Sequence, residues 1–269
     1  GQMQAFDAMY TIAAGDGREE ALFGSSFGLS QGTAMIIAFI ITAAWWAVFT
    51  LPLMRQYKQT SYVERGEHPI ADTFRQIGNT FRKAKSQKHI FVYLIAFFFF
   101  INGVYTIIDM ATAYGTDLGL DTTGLLLALL LTQIVAFPCA IIFGKLSAKY
   151  DTGLLIKISI VCYTVITLFG MFLVTLWQFW VLAVLVGMFQ GGIQAMSRSY
   201  LGKIIKPERS GEFYGLMDIC GKGASFVGTT LVAVVSQASA GVKFSILGIT
   251  LQNENLAVGS LIVLFIIGF

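Results

Sequence analysis

The chain has 269 residues, of which 56% are hydrophobic and 12% charged, with a net charge of +3 and a mean hydropathy of +0.72. A soluble globular domain carries roughly twice that share of charged residues, so a water-soluble fold is excluded and a polytopic membrane protein is indicated. Three cysteines in apolar stretches, with no CxxC or Cys/His spacing, read as packing residues and not as a metal or redox centre.

Residues 1–33 are polar and Gly-rich, with Asp7, Asp16, Glu19 and Glu20 against a single Arg18, as expected of a non-cytoplasmic loop. Gly24 to Gly28 spells G-x-S-x-G. That pattern makes a nucleophile elbow only between a strand and a helix and with a partner histidine. The two histidines, His68 and His89, belong to a basic segment expected on the opposite side of the membrane, so a flexible Gly/Ser loop is the reading taken.

Apolar runs predict spanning helices over 34–53, 90–108, 124–143, 154–176, 179–196 and 213–236, with 256–269 beginning a seventh. Helices follow because lipid cannot satisfy free backbone groups, and runs near 20 residues suit a helix and exceed a barrel strand twofold. The last run stops after 14 residues and the first residue is Gly, so the sequence reads as a fragment truncated at both ends.

Orientation follows from Lys and Arg placement. Segments 55–88, 145–157 and 198–209 hold 15 of the 18 Lys/Arg, while the alternate loops hold only Arg18 and Lys243. Loops 54–89, 144–157 and 198–212 are therefore expected in the cytoplasm, giving a multi-pass protein of, by expectation, a bacterial cell membrane. Within 54–89, Ile70, Phe74, Ile77 and Phe81 recur at helical spacing between Arg75, Arg82 and Lys83, which fits an amphipathic helix lying on the membrane face or a solvated charged linker. The basic residues are too few for nucleic-acid binding and simply obey topology.

Several intramembrane groups are candidates for chemistry. Asn102, with Gly103 and Thr106, interrupts an aromatic run, and Asp109 stands near the outer end of that helix; Gln133 and Pro138 mark the next one. Each fits a cavity lining or a packing contact between helices. Gln190, Gln194 and Arg198 share one helix face that leads to the cytoplasmic mouth. Arg198 can pair with Glu212 across the turn as a gate or snorkel to headgroups. Gly187/Gly191 and the small residues at 221/225 and 224/228 predict a tight hairpin of these two helices. Asp218 and Lys222 are spaced i, i+4, inside an apolar run where charge is expensive. They read either as a structural ion pair or as a site where Lys222 meets a substrate carboxylate and Asp218 tunes it.

Two stretches carry a family resemblance. Gly144, Leu146 and Lys149 match the loop motif G-x-L-x-D-R-x-G-R-K of the major facilitator superfamily, with Ala148 in place of its aspartate and Asp151 in place of its second glycine. Gly191, Gly192, Gln194, Ala195, Ser197, Arg198 and Ser199, then Pro207, Glu212, Phe213, Gly215, Gly221 and Lys222, resemble the G-G-x-Q-A-x-S-R-S, P, E-F-x-G, G-K pattern of its vacuole-effluxer-like branch, which contains the autophagy-related vacuolar amino-acid effluxer and bacterial relatives. Asn102 to Ile107 and the following Ala111 to Gly115 also resemble that branch, with Asn102 where it has aspartate.

The resemblance implies an all-α membrane protein: the C-terminal six-helix half of a major facilitator bundle plus the preceding helix. By domain it implies that 34–53 is the last helix of the N-terminal half, 54–89 the connector, and 90–269 the C-terminal bundle, the N-terminal half being missing. It implies a secondary active transporter that moves a small polar solute, by family an amino acid, by alternating access and coupled to protons or sodium. Lys222, Asp218, Asn102, Gln133, Gln190 and Gln194 are the substrate or coupling candidates, and Arg198, Glu212, Lys149 and Asp151 the cytoplasmic gate candidates. No cofactor or metal is implied, and no Walker loop is present for ATP. The alternative is a membrane receptor or scaffold whose charges only hold helices together; a membrane-embedded enzyme comes third, since no H-E-x-x-H cluster occurs.

Overall fold

The computed structural model describes residues 31–57, 69–239, 244–246, 249–251 and 253–269. The Gly24 to Gly28 motif, the 1–30 part of the first loop and His68 lie outside the described residues. The chain divides into two units, residues 1–65 and 66–269.

In the first unit, α1 (Gln31–Gln56) is apolar on every side and leaves Trp45 and Trp46 exposed, as a helix meant for lipid must. Thr42 returns its hydroxyl to the Ala38 carbonyl, so that donor is satisfied within its own helix.

The second unit is a helical bundle: α2 (Pro69–Ser86), α3 (Lys88–Asp117), α4 (Thr122–Lys149), α5 (Thr152–Met171), α6 (Leu176–Ile204), α7 (Ser210–Ala238), α8 (Asn253–Gly259) and α9 (Leu261–Gly268). Six of the described helices, α1 and α3 to α7, are long and apolar enough to cross a membrane, which makes this a multi-pass membrane protein of all-α class. The only described strands are β1 (Phe244–Ile246) and β2 (Ile249–Leu251), an antiparallel pair inside the loop after α7.

Helix ends depart from the apolar runs in an instructive way. Expected 90–108, α3 runs to Asp117, and α4, α6 and α7 extend beyond the expected runs at both ends, because a helix continues through the headgroup region where charged residues are tolerated. The run expected at 154–176 is instead cut at Met171. Thr175 accepts the Gln178 backbone N–H while Gln178 caps in return, so a capping box starts α6 at Leu176 inside the apolar stretch. Asp121 and Asp151 cap α4 and α5 by accepting from Gly124 N and Leu154 N at 2.7 and 2.9 Å. Gly119, at φ 73°, makes the turn between α3 and α4 in a region only glycine enters freely. The final run, expected unbroken, is interrupted at Ser260.

The tight hairpin expected of α6 and α7 is corrected. Those two helices touch only slightly; α6 packs most extensively on α4, and α7 on α3. A Cβ on Gly187 would stand 2.7 Å from the Thr132 carbonyl oxygen of α4, so this glycine is what lets the α4 and α6 backbones meet. Thr132 bridges the same seam toward the Ala183 carbonyl at 3.2 Å. Gly228 of α7 lies so close to Asn102 and Thr106 of α3 that no Cβ fits there. The reason is geometric: small residues permit close approach, but they do not choose the neighbour.

Between these two pairs, Phe100, Tyr163, Phe179, Phe213 and Phe265 are the largest fully buried side chains, with Tyr163 stacked on Phe265 at 5.8 Å between ring centres. Interhelical hydrogen bonds tie the bundle at both ends: Tyr93 donates to the Ser197 carbonyl at 2.7 Å, and Tyr114 to the Gly170 carbonyl at 2.9 Å.

Candidate functional site

The charges inside the apolar runs converge on one cleft of about 100 Å³, walled by Phe97, Ile101 and Tyr105 of α3, Gln194 and Arg198 of α6, and Asp218 and Lys222 of α7. Helical spacing places Asp218 and Lys222 one turn apart on one face of α7, and Gln194 and Arg198 likewise on α6. Gly221, between the two α7 charges, presents bare backbone to the rings of Phe97 and Tyr105, which come within 3.8 Å of its would-be Cβ. These aromatic rings make the apolar side of the cleft.

Arg198 donates from Nη2 to Asp218 Oδ1 at 2.7 Å, and the two side chains are 56% and 47% exposed. The backbone of Arg198 is fixed as well, since Tyr214 donates its hydroxyl to that carbonyl at 3.0 Å. Lys222 is exposed on the cleft and has no ion-pair partner among the described residues. One turn outward on α7, Ser225 donates to Asp109 Oδ2 of α3 at 2.8 Å.

Two expected pairings are thereby exchanged. Asp218 pairs across the bundle with Arg198 and not along its own helix with Lys222. Arg198 in turn does not meet Glu212; Glu212 accepts from Thr80 of α2 at 3.2 Å and lies 3.6 Å from Lys83. Six residues turn a helix by roughly 600°, which sets Glu212 about 120° away from Asp218, facing α2 instead of α6.

The other candidates are dispersed. Gln190 lies one turn deeper than Gln194, with its carbonyl oxygen buried and unpartnered, and does not reach the cleft wall. Asn102 is fully buried under Gly228; it takes the Thr106 hydroxyl at 3.4 Å and keeps an unpartnered Nδ2. Gln133 is exposed on α4, away from the cleft. Lys149 sits 5.6 Å from the ring centre of Tyr150, and Asp151 is occupied as the α5 cap, so neither forms an ion pair among the described residues. Asp109 lies beyond the apolar run that ends at Ile108 but inside α3, which continues to Asp117, and nothing in the sequence sets Tyr105, within that run, apart from its apolar neighbours.

A second cavity, of about 170 Å³, lies toward the opposite end of the bundle, with Thr106, Tyr114, Thr167, Leu182, Val232 and Ala257 among its lining. Three of its hydroxyls are engaged: Thr106 donates to the Asn102 carbonyl, Thr167 to the Tyr163 carbonyl, and Tyr114 to Gly170; Ser236 and Asp117 are the other polar groups of the lining. Among the described residues no group of three or more His, Cys, Asp or Glu is arranged to hold a metal ion.

Comparison with known proteins adds the following. The family model described as vacuole effluxer Atg22 like matches residues 22–267. An uncharacterized MFS-type transporter of Bacillus subtilis, YxiO, is 39% identical over 240 residues, which is 89% of this chain and 53% of that protein. Autophagy-related protein 22-1 of Penicillium rubens and autophagy-related protein 22 of Eremothecium gossypii are each 24% identical, over 75% and 78% of this chain but only 38% and 45% of their own lengths. The chain thus spans about half the length, or less, of these relatives.

Proposed function

Because the chain belongs to the vacuole effluxer Atg22 like family, we propose that it is the greater part of the C-terminal half of a secondary active transporter, one that moves a small polar solute across a bacterial cell membrane by alternating access. In this reading 34–53 closes the N-terminal half, 54–89 is the cytoplasmic connector, and 90–269 is the C-terminal bundle. The basic ends of the helices face the cytoplasm.

The observation that carries the proposal is the unpaired Lys222 on a cleft whose other charges are matched. An ammonium group at bilayer depth is costly unless it is compensated, and a ligand anion supplies that compensation. Arg198 and Asp218 cancel each other, so the cleft keeps one positive charge for a substrate carboxylate. Asp109, held by Ser225 one turn away, offers the complementary acceptor for a substrate ammonium. A solute carrying both groups, an amino acid foremost, has the charges to meet both. Gln194 supplies a hydrogen-bonding amide on the α6 wall, and the Arg198–Asp218 pair is the cytoplasmic-side gate that must open and re-form in each cycle. Protons or sodium drive the cycle.

The scaffold reading draws on the same Arg198–Asp218 pair and on the packing of Asn102 against Gly228, since both hold helices together. Flux separates the two. With full-length protein in liposomes, amino-acid uptake that collapses in Lys222→Ala supports the transporter; uptake unchanged by that substitution removes Lys222 from the site, and no flux for any solute favours the scaffold.

A further inference from the structure

Helix α2 has three flanks with different surroundings. Thr80 and Ala84 are buried, at 3% and 0% exposure, and face the bundle. Ile77 and Phe81 stay exposed, although they are the larger apolar side chains. Arg75, Arg82 and Lys85 are exposed too. At roughly 100° per residue, Ile77 and Phe81 sit within about 40° of each other, directly beside the Thr80 and Ala84 flank, while Arg75 and Arg82 lie about 140° to 160° from Ile77. A protein-facing flank next to an apolar one, with Arg75 and Arg82 opposite and Lys85 at its border about 40° from Phe81, is the section of a helix lying along the foot of a bundle, half on protein and half on lipid.

Depth agrees with this section. The ring of Phe81 meets that of Phe91 edge to face at 6.1 Å, and Phe91 belongs to the first turn of the spanning helix α3. Phe81 is thus level with the start of the span, where headgroups give way to acyl chains. Arg82, Lys83, Lys85 and Lys88 crowd the same level, with no acidic residue between 73 and 108. Glu212 of α7 meets Lys83, and anionic headgroups match the positive charge that is left along the surface.

The contact that seats α2 also reaches the cleft helix. Thr80 and Lys83 both address Glu212, in the first turn of α7, the helix that carries Asp218 and Lys222. We propose that α2 docks on anionic phospholipid through Ile77 and Phe81, with Arg75, Arg82 and Lys85 at the phosphates, and that Glu212 couples this docking to the position of α7. The docking is independent of the transport reading; the coupling rests on it.

Spin labels test the docking in full-length protein whose Cys139, Cys162 and Cys220 are replaced by alanine. A label at Phe81→Cys is expected to collide with oxygen and to be shielded from an aqueous nickel chelate in vesicles of equimolar POPC and POPG, while a label at Asn79→Cys stays open to the chelate. Equal chelate access at both positions overturns the docking, and shielding of position 81 from both reagents overturns it in favour of a protein cover. Shielding just as strong in pure POPC, or unchanged by Arg75→Gln/Arg82→Gln/Lys85→Gln, overturns the anionic requirement. Coupling predicts that wild-type flux rises with POPG and that Glu212→Ala and Thr80→Val lose this dependence; a retained dependence overturns it. Wild-type protein without flux in either lipid removes the transport reading and with it the coupling, and leaves the spin-label result standing.

Discussion

Two cavities of the bundle share walls of α3, α6 and α7, the outer one adding α5, α8 and α9, yet they differ in chemistry. In the inner cleft, Arg198, Asp218 and Lys222 reach into the space and one charge is left over. In the outer cavity, Thr106, Thr167 and Tyr114 have their hydroxyls committed to backbone carbonyls. Those spent donors offer a polar ligand nothing, and apart from Ser236 and Asp117 the rest of the lining is apolar, so most of this space stays dry. Polarity of sequence is therefore a poor guide to a site; what counts is whether the polar atom is spent on its own helix.

The seam between the cavities gives the largest expected effect. Gly228 sits on Asn102 and Thr106, and Thr106 is also part of the outer lining. Gly228→Val forces α3 and α7 apart, opening the cleft and the cavity together. We expect a loss of about 3 kcal/mol, the upper range for overpacking, read as a lower midpoint of thermal unfolding in detergent. An unchanged midpoint would mean that the seam yields freely and that the two spaces are not held apart by it.

Next in size, Lys222→Ala is expected to weaken substrate binding roughly 30-fold, from about 2 kcal/mol of charged hydrogen bonding, with little change in unfolding temperature. Thr167→Val, the matching change in the outer cavity, removes a hydroxyl that already serves its own helix. Binding should be unaltered and stability should move by less than about 1 kcal/mol. If Thr167→Val weakens substrate binding as Lys222→Ala does, the division of the two cavities into a polar site and a dry space fails. Ala111→Leu is a third probe: by filling the outer cavity it should raise stability by about 1 kcal/mol, measured as the same unfolding midpoint.

The helices and the residues of the inner cleft were legible in the sequence because both depend on period. An apolar run near 20 residues names a span, and a spacing of four names a shared face, which brought Gln194 with Arg198 and Asp218 with Lys222. Partnerships between helices were not legible. Gly187 and Gly191 declared that α6 has a close neighbour but not that it is α4. Arg198 declared a need for an acid, and Glu208, Glu212 and Asp218 all follow it in the chain; the rotation of α7 decides for Asp218 over Glu212. Hydropathy put the break between these spans at residues 177–178, whereas α5 already ends at Met171 and the Thr175–Gln178 capping box starts α6 at Leu176.

The smallest expected effect on stability belongs to the most conspicuous contact. Arg198 and Asp218 are each about half exposed, and an ion pair in that setting contributes less than about 1 kcal/mol. Asp218→Asn should therefore leave the unfolding midpoint nearly unchanged while altering flux, because it frees Arg198 beside Lys222 and doubles the uncompensated charge of the cleft. Restoring the original net charge with Arg198→Gln in the same molecule should recover part of the lost flux. If the single substitution lowers the midpoint by several degrees and the double does not restore flux, the pair holds the fold and is no gate. The cleft would then resemble the outer cavity, a space whose polar atoms are spent on structure.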